Sequence, residues 1–145
     1  MKTRRAEPVP PSADALLAAP DSDYMSPRQL AFFRARLLEQ RREVLERERA
    51  VRARLAAREV TADPADRAAQ EEERWLDLRL REREAQLLRK IDQALRRIER
   101  GDYGYCEITG EPIGIPRLLA RPTATVCADI KDYNEQREAR FRNTR

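Results

Sequence analysis

Two groups of residues in this sequence have types and spacings that chemistry could use. Cys106-Glu-Ile-Thr109 and Cys127-Ala-Asp-Ile130 reproduce the C-x-x-C…C-x-x-C spacing of a two-knuckle zinc ribbon, with the second ligand of each pair replaced. Threonine is a poor zinc ligand and isoleucine is none. A metal here would need Glu107 or Asp129 beside two thiolates, in an unusual backbone geometry. The competing reading is a small apolar core with two ordinary thiols, in which Ile108, Ile113, Ile115, Leu118 and Ile130 supply the cohesion. The second group is Asp63-Pro-Ala-Asp66-Arg-Ala68. Helix capping accounts for both aspartates. The alternative is delivery of acidic groups into a deep, narrow passage, toward a bound Mg²⁺ or the basic elements around it.

Composition removes many other chemistries. The chain has 145 residues, no histidine, two cysteines, and 30 Lys+Arg against 26 Asp+Glu for a net charge of +4. Without histidine, Ser-His-Asp and Cys-His nucleophiles and histidine-ligated metal sites are excluded. Two cysteines cannot build a disulfide framework. Pro8, Pro10 and Pro11 stand where a signal peptide would need an apolar run, so an intracellular, cytoplasmic chain with reduced thiols is expected. No apolar run approaches the roughly 18 residues of a membrane span. The positive charge suits an acidic partner such as nucleic acid, a nucleotide or an acidic protein surface, but acids nearly as numerous as bases give a nucleic-acid groove little support.

These residues must be positioned by helices. Residues 1–25, with Pro8, Pro10, Pro11 and Pro20, read as a flexible N-terminal arm. Ser26-Pro27 is a helix start, and Leu30, Leu37, Val44 and Val51 then recur every seven residues, with Phe33, Leu38, Leu45 and Leu55 widening the stripe as far as about residue 59. Asp63-Pro64 repeats the start signal for a second helix that ends at Gly101, with Leu76, Leu80, Leu87, Ile91, Ala94 and Ile98 as its apolar seam. Two such helices, each roughly 50 Å long, joined by about four residues, must fold antiparallel. The expected fold class is therefore all-α dominated: residues 26–100 form a long coiled-coil hairpin with its tip near 60–68. Residues 101–127 form a small zinc-ribbon-like globular segment with a degenerate metal site, in which short strands are expected around 105–107 and 122–126. Residues 128–145 form a C-terminal helix and tail. Trp75 reads as a packing residue across the hairpin or a partly exposed one, and the arginine-rich run 34–58 as a solvated face.

The motifs Asp63-Pro-Ala-Asp66-Arg-Ala-Ala-Gln-Glu-Glu-Glu, Gly104-Tyr-Cys106-Glu, Ile113-Gly-Ile, Arg117-Leu and Leu119-Ala-Arg121-Pro-Thr-Ala together resemble the DksA/TraR family of RNA polymerase-binding transcription factors. The resemblance covers about residues 24–134, including the entry Met25-Ser-Pro-Arg-Gln-Leu. It implies a non-enzymatic, monomeric regulator of bacterial transcription initiation whose hairpin enters the polymerase secondary channel. Asp63, Asp66 and Ala68 would act near the active centre, and the globular part and C-terminal helix at the channel rim. It also implies a ppGpp site shared with polymerase, to which Leu87, Lys90, Arg121 and Lys131 correspond, with Arg83 on the same flank as a polymerase contact. Leu87 and Lys90 are a helical i,i+3 pair, and three cations suit a polyphosphate. The chain departs from the four-cysteine pattern at Thr109 and Ile130 and is similar to zinc-independent, low-cysteine variants. On that reading no cofactor is required, zinc is not expected and ppGpp is an effector; no membrane and no sequence-specific DNA partner is implied. The rivals are a Gre-type transcript cleavage factor and a DNA-binding or scaffolding coiled coil.

Overall fold

A capping serine followed by proline, and a capping aspartate followed by proline, open the two long helices. In the computed structural model, which describes residues 10–144, α1 spans Ala13–Ala18, α2 Pro27–Ala57, α3 Pro64–Arg100, α4 Ile115–Ala120 and α5 Ala128–Asn143, with a 3₁₀ turn at Asp21–Asp23. Ser26 Oγ accepts the Gln29 N–H at 3.4 Å, while Gln29 Oε1 accepts the Met25 N–H at 2.9 Å, a variant of the capping box. At the other helix start Asp63 Oδ1 accepts the Ala65 N–H at 3.0 Å. Gly101, at φ 84°, ends α3 with its N–H on the Arg97 carbonyl at 3.0 Å.

The long helices pack as an antiparallel hairpin, and the chain divides into two compact units. In the unit Leu38–Asp92, Val44, Val51 and Ile91 are buried on the seam. Ion pairs fix the register: as α2 advances through Arg41, Arg47 and Arg54, its partners recede along α3 through Asp92, Glu84 and Asp77. Several arginines of the run read as a solvated face are thus cross-helix ligands, Arg47 gripping Glu84 with two nitrogens at 2.9 and 3.1 Å. The seam is shorter than expected, because Leu76 and Leu80 are exposed and Trp75 is 64% exposed. The connection runs over residues 58–63, since α2 stops at Ala57.

The second unit joins the flanking segments, up to Leu37 and from Gln93 onward. Its core holds Leu16, Phe33, Leu37, Ala94, Tyr103, Cys106, Leu118 and Ala124. Residues 12–25 correct the reading of a flexible arm. Leu16 on α1 is buried, and the Tyr24 hydroxyl donates to the Gly104 carbonyl at 2.6 Å and accepts the Gly114 N–H at 2.9 Å. Gly104 is required where it stands: at φ 87° a Cβ would meet Met25 Sδ at 2.7 Å. The rest of that arm, residues 1–9, lies outside the described residues. Among the described residues the two expected strands are absent: 105–107 makes a single bridge, Tyr105 with Pro112, and one bond from the Glu107 N–H to the Thr125 carbonyl at 2.9 Å, while 122–126 is turn and irregular chain.

Candidate functional site

The tip of the hairpin is built from the connection and the first turns of α3. Asp63 Oδ1 is committed to the Ala65 N–H, and the Asp63 N–H donates to Thr61 Oγ1 at 3.3 Å. Two longer side chains brace the turn, Arg67 Nε donating to the Thr61 carbonyl at 3.4 Å and Gln70 Nε2 to the Glu59 carbonyl at 3.0 Å. Asp66, in the first turn of α3, is exposed, and among the described residues its carboxylate has neither an ion-pair nor a hydrogen-bond partner. Capping therefore accounts for Asp63 and leaves Asp66 free. Ala68 is also exposed, a small residue beside that carboxylate.

Further along α3, Arg83 and Lys90 are exposed and Leu87 is half-buried, the three sharing one flank at spacings of four and three residues. In the other unit Arg121 is exposed just after α4, and Lys131, in the first turn of α5, places its ammonium 3.4 Å from Glu135. The structure thus groups Leu87 with Lys90 on α3, and sets Arg121 and Lys131 in the unit that holds the zinc-ribbon-like segment.

In that segment three of the four metal positions converge. The Cys127 N–H points to Cys106 Sγ at 3.4 Å, and Thr109 Oγ1 lies 3.8 Å from Cys127 Sγ. Burial alone would push the Cys106 thiol up. Hydrogen bonds from the Thr109 hydroxyl and from the Thr109, Cys127 and Ile108 backbone outweigh it and bring the thiol down to about 6. Cys127 is pushed up, by burial and by its neighbour Cys106. The knuckle is closed by the Cys106 N–H on the Glu111 carbonyl at 2.8 Å and the Gly110 N–H on the Cys106 carbonyl at 2.9 Å. Sequence reasoning missed Arg97. This residue is buried at the end of α3 and donates through Nη2 to the Asp102 and Tyr105 carbonyls, at 3.0 and 2.7 Å, tying the helix to the knuckle. It sits on the stripe shared by Ile91, Ala94 and Ile98, and that placement of a charge on an apolar face was the available signal.

Family models match both parts of this architecture. Residues 29–98 match the N-terminal domain of DnaK suppressor protein DksA, and residues 101–129 match the prokaryotic dksA/traR C4-type zinc finger. The protein named RNA polymerase-binding transcription factor DksA in Caulobacter vibrioides is 50% identical over 119 residues, covering 81% of this chain and 84% of that protein. The protein of the same name in Escherichia coli is 49% identical over 121 residues, covering 82% and 80%. The solved structure of transcription factor DksA2 from Pseudomonas aeruginosa superposes with a TM-score of 0.79 at 51% identity, over 88% of this chain and 99% of that one. The chain belongs to the DksA family.

The zinc-finger match corrects the expectation that no cofactor is required and that zinc has no place here: the segment 101–129 is a member of a C4-type zinc-finger family. Of the four positions that the C-x-x-C spacing marks, Cys106 and Cys127 would supply sulfur and Thr109 a hydroxyl, while Ile130, one residue beyond the matched segment, has no donor. Among the described residues no group of three or more Cys, His, Asp or Glu side chains gathers to hold an ion. The residues present do not match a four-thiolate centre. A zinc held here would draw on the Cys106 and Cys127 thiolates.

Proposed function

We propose that this chain regulates bacterial transcription initiation by binding RNA polymerase, its hairpin tip entering the secondary channel so that Asp66, with Asp63 and Ala68 beside it, acts near the active centre. The observation that carries this reading is the unpaired, exposed carboxylate of Asp66 next to a neighbour whose carboxylate is already spent on capping. The names of the relatives, RNA polymerase-binding transcription factors, support the partner. In this reading the protein is a cytoplasmic, non-enzymatic monomer. It makes no sequence-specific DNA contact of its own and shortens the life of open complexes at stable-RNA promoters.

Leu87, Lys90, Arg121 and Lys131 are proposed to bind ppGpp together with polymerase, and Arg83 to touch polymerase directly. The chemistry supports it: three cations and an apolar side chain suit a guanine nucleotide with two pyrophosphates. Binding of ppGpp would then strengthen the transcriptional effect as a coupling free energy between effector and polymerase. Run-off transcription from a ribosomal RNA promoter tests the reading. Added protein is expected to lower transcript, and ppGpp to deepen the loss. Cleavage of the transcript in a stalled complex, as a Gre-type factor would cause, would replace this reading.

A further inference from the structure

Cys106 and Cys127, 21 residues apart in the chain, meet within the unit that joins the flanking segments. Both are free thiols, Cys106 buried and Cys127 half-buried, so the pair has one covered member and one open to solvent. Backbone bonds hold each from its own side. The Glu107 N–H donates to the Thr125 carbonyl at 2.9 Å, which draws the knuckle against the chain leading to Cys127. Arg117 Nε donates to the Val126 carbonyl at 2.9 Å, and the Lys131 N–H to the Cys127 carbonyl at 3.1 Å. With the Cys127 N–H 3.4 Å from Cys106 Sγ and the Thr109 hydroxyl 3.8 Å from Cys127 Sγ, each sulfur has a polar neighbour able to donate to its thiolate, the outer-shell support that metal-bound thiolates use.

Two sulfurs fall short of what most biological ions take. Structural zinc and iron–sulfur clusters take four ligands, and calcium and magnesium take six or more oxygens. Among the described residues no Asp or Glu joins the pair to make three donors. Monovalent copper is satisfied by two: it is a soft, closed-shell cation that thiolates select and that binds a pair of them in line. We propose that Cys106 and Cys127 form a two-coordinate copper(I) site. Binding exchanges two S–H bonds for two Cu–S bonds. Both protons leave to solvent, copper stays monovalent, nothing is oxidised or reduced, and the bis-thiolate centre carries one negative charge. The ion ties the knuckle to the N-cap of α5. Zinc on the same pair would draw its other ligands from water, so copper(I) is held more tightly. The inference concerns this pair alone and does not rest on the polymerase reading.

The test uses the reduced full chain under argon, with copper(I) supplied as its acetonitrile complex and bathocuproine disulfonate as a coloured competitor. The parent is expected to withhold one copper per chain from the chelator, to remain a monomer on size exclusion, to keep its copper against equimolar zinc, and to show sulfur neighbours alone at the copper X-ray absorption edge. Cys106→Ser and Cys127→Ser should each lose at least about a hundredfold in copper(I) affinity, since even outer-shell losses cost about 10- to 100-fold. Circular dichroism checks that each variant keeps parental helicity, and Cys127→Ser, at the half-buried position, decides the matter if Cys106→Ser does not fold. Thr109→Cys/Ile130→Cys completes the thiolate set and should raise zinc affinity by at least about tenfold. Copper retained by a folded single-serine variant would overturn the proposal. So would absence of parental binding, one copper bridging two chains, displacement by equimolar zinc, or oxygen and nitrogen neighbours in place of sulfur.

Discussion

Tyr24 holds two separate loops with one hydroxyl, donating to the Gly104 carbonyl and accepting the Gly114 N–H. Burial pushes its phenol up, so it stays a donor over the working range of pH. Tyr24→Phe should cost about 2 kcal/mol, close to 1 for each lost bond, read as a lower midpoint in urea with an unchanged slope. The cysteines make a second prediction. In chelator-treated protein the ultraviolet thiolate absorbance of Cys106 should titrate near pH 6, and Thr109→Val should move that midpoint upward, because the hydroxyl that favours the charged form is gone. Its sign for stability follows: a folded value below the unfolded one of about 8.5 stabilises the fold fully above that value, and the contribution is lost as pH falls through 6. An unmoved midpoint in Thr109→Val would remove the hydroxyl from this account. Residue types alone placed Asp63 as a cap, but gave Asp66 the same explanation. Telling them apart required knowing which carboxylate the backbone N–H groups had reached.

The helices were legible from the sequence at their starts and less so along their faces. Ser26-Pro27 and Asp63-Pro64 begin α2 and α3 where their capping chemistry predicts, and Gly101 ends α3 as its lack of a side chain allows. Leu76 and Leu80 keep the helical spacing of three, four or seven residues yet are exposed, because near the tip the contact between helices is made by Arg54 and Arg58 on Asp77 rather than by apolar packing. Periodicity reports which residues share a face, not whether the facing helix is close enough to cover it. Asp77 is mostly buried and receives both arginines, so Asp77→Ala should lower stability by about 1–2 kcal/mol and fray the tip first, seen as faster amide exchange across residues 54–78 than in the parent. Unchanged exchange there would mean that the ion pairs do not hold this end. The absent strands have a local cause: the turns at Gly104 and Gly110 bracket residues 105–107 and leave room for one bridge, and Pro122-Thr123 turns the chain at the start of 122–126.

At the scale of the whole molecule, the sequence motifs were informative because they fall in both segments that family models match, residues 29–98 and 101–129. They placed the family. The reverse case is zinc. Counting cysteines argued against a metal domain, while residues 101–129 match a C4-type zinc-finger family. For the effector, Lys90→Ala should weaken the added effect of ppGpp in run-off transcription by several-fold while leaving the effect without ppGpp unchanged. Parental response to ppGpp would dissolve that assignment. The central claim is that an exposed carboxylate at the hairpin tip acts on polymerase rather than holding the fold or the complex together, and Asp66→Asn isolates it. This variant keeps the size of the side chain and removes its charge, so polymerase affinity should stay within about twofold of the parent while inhibition at a ribosomal RNA promoter is lost. Retained inhibition, or a loss of binding equal to the loss of effect, would contradict it.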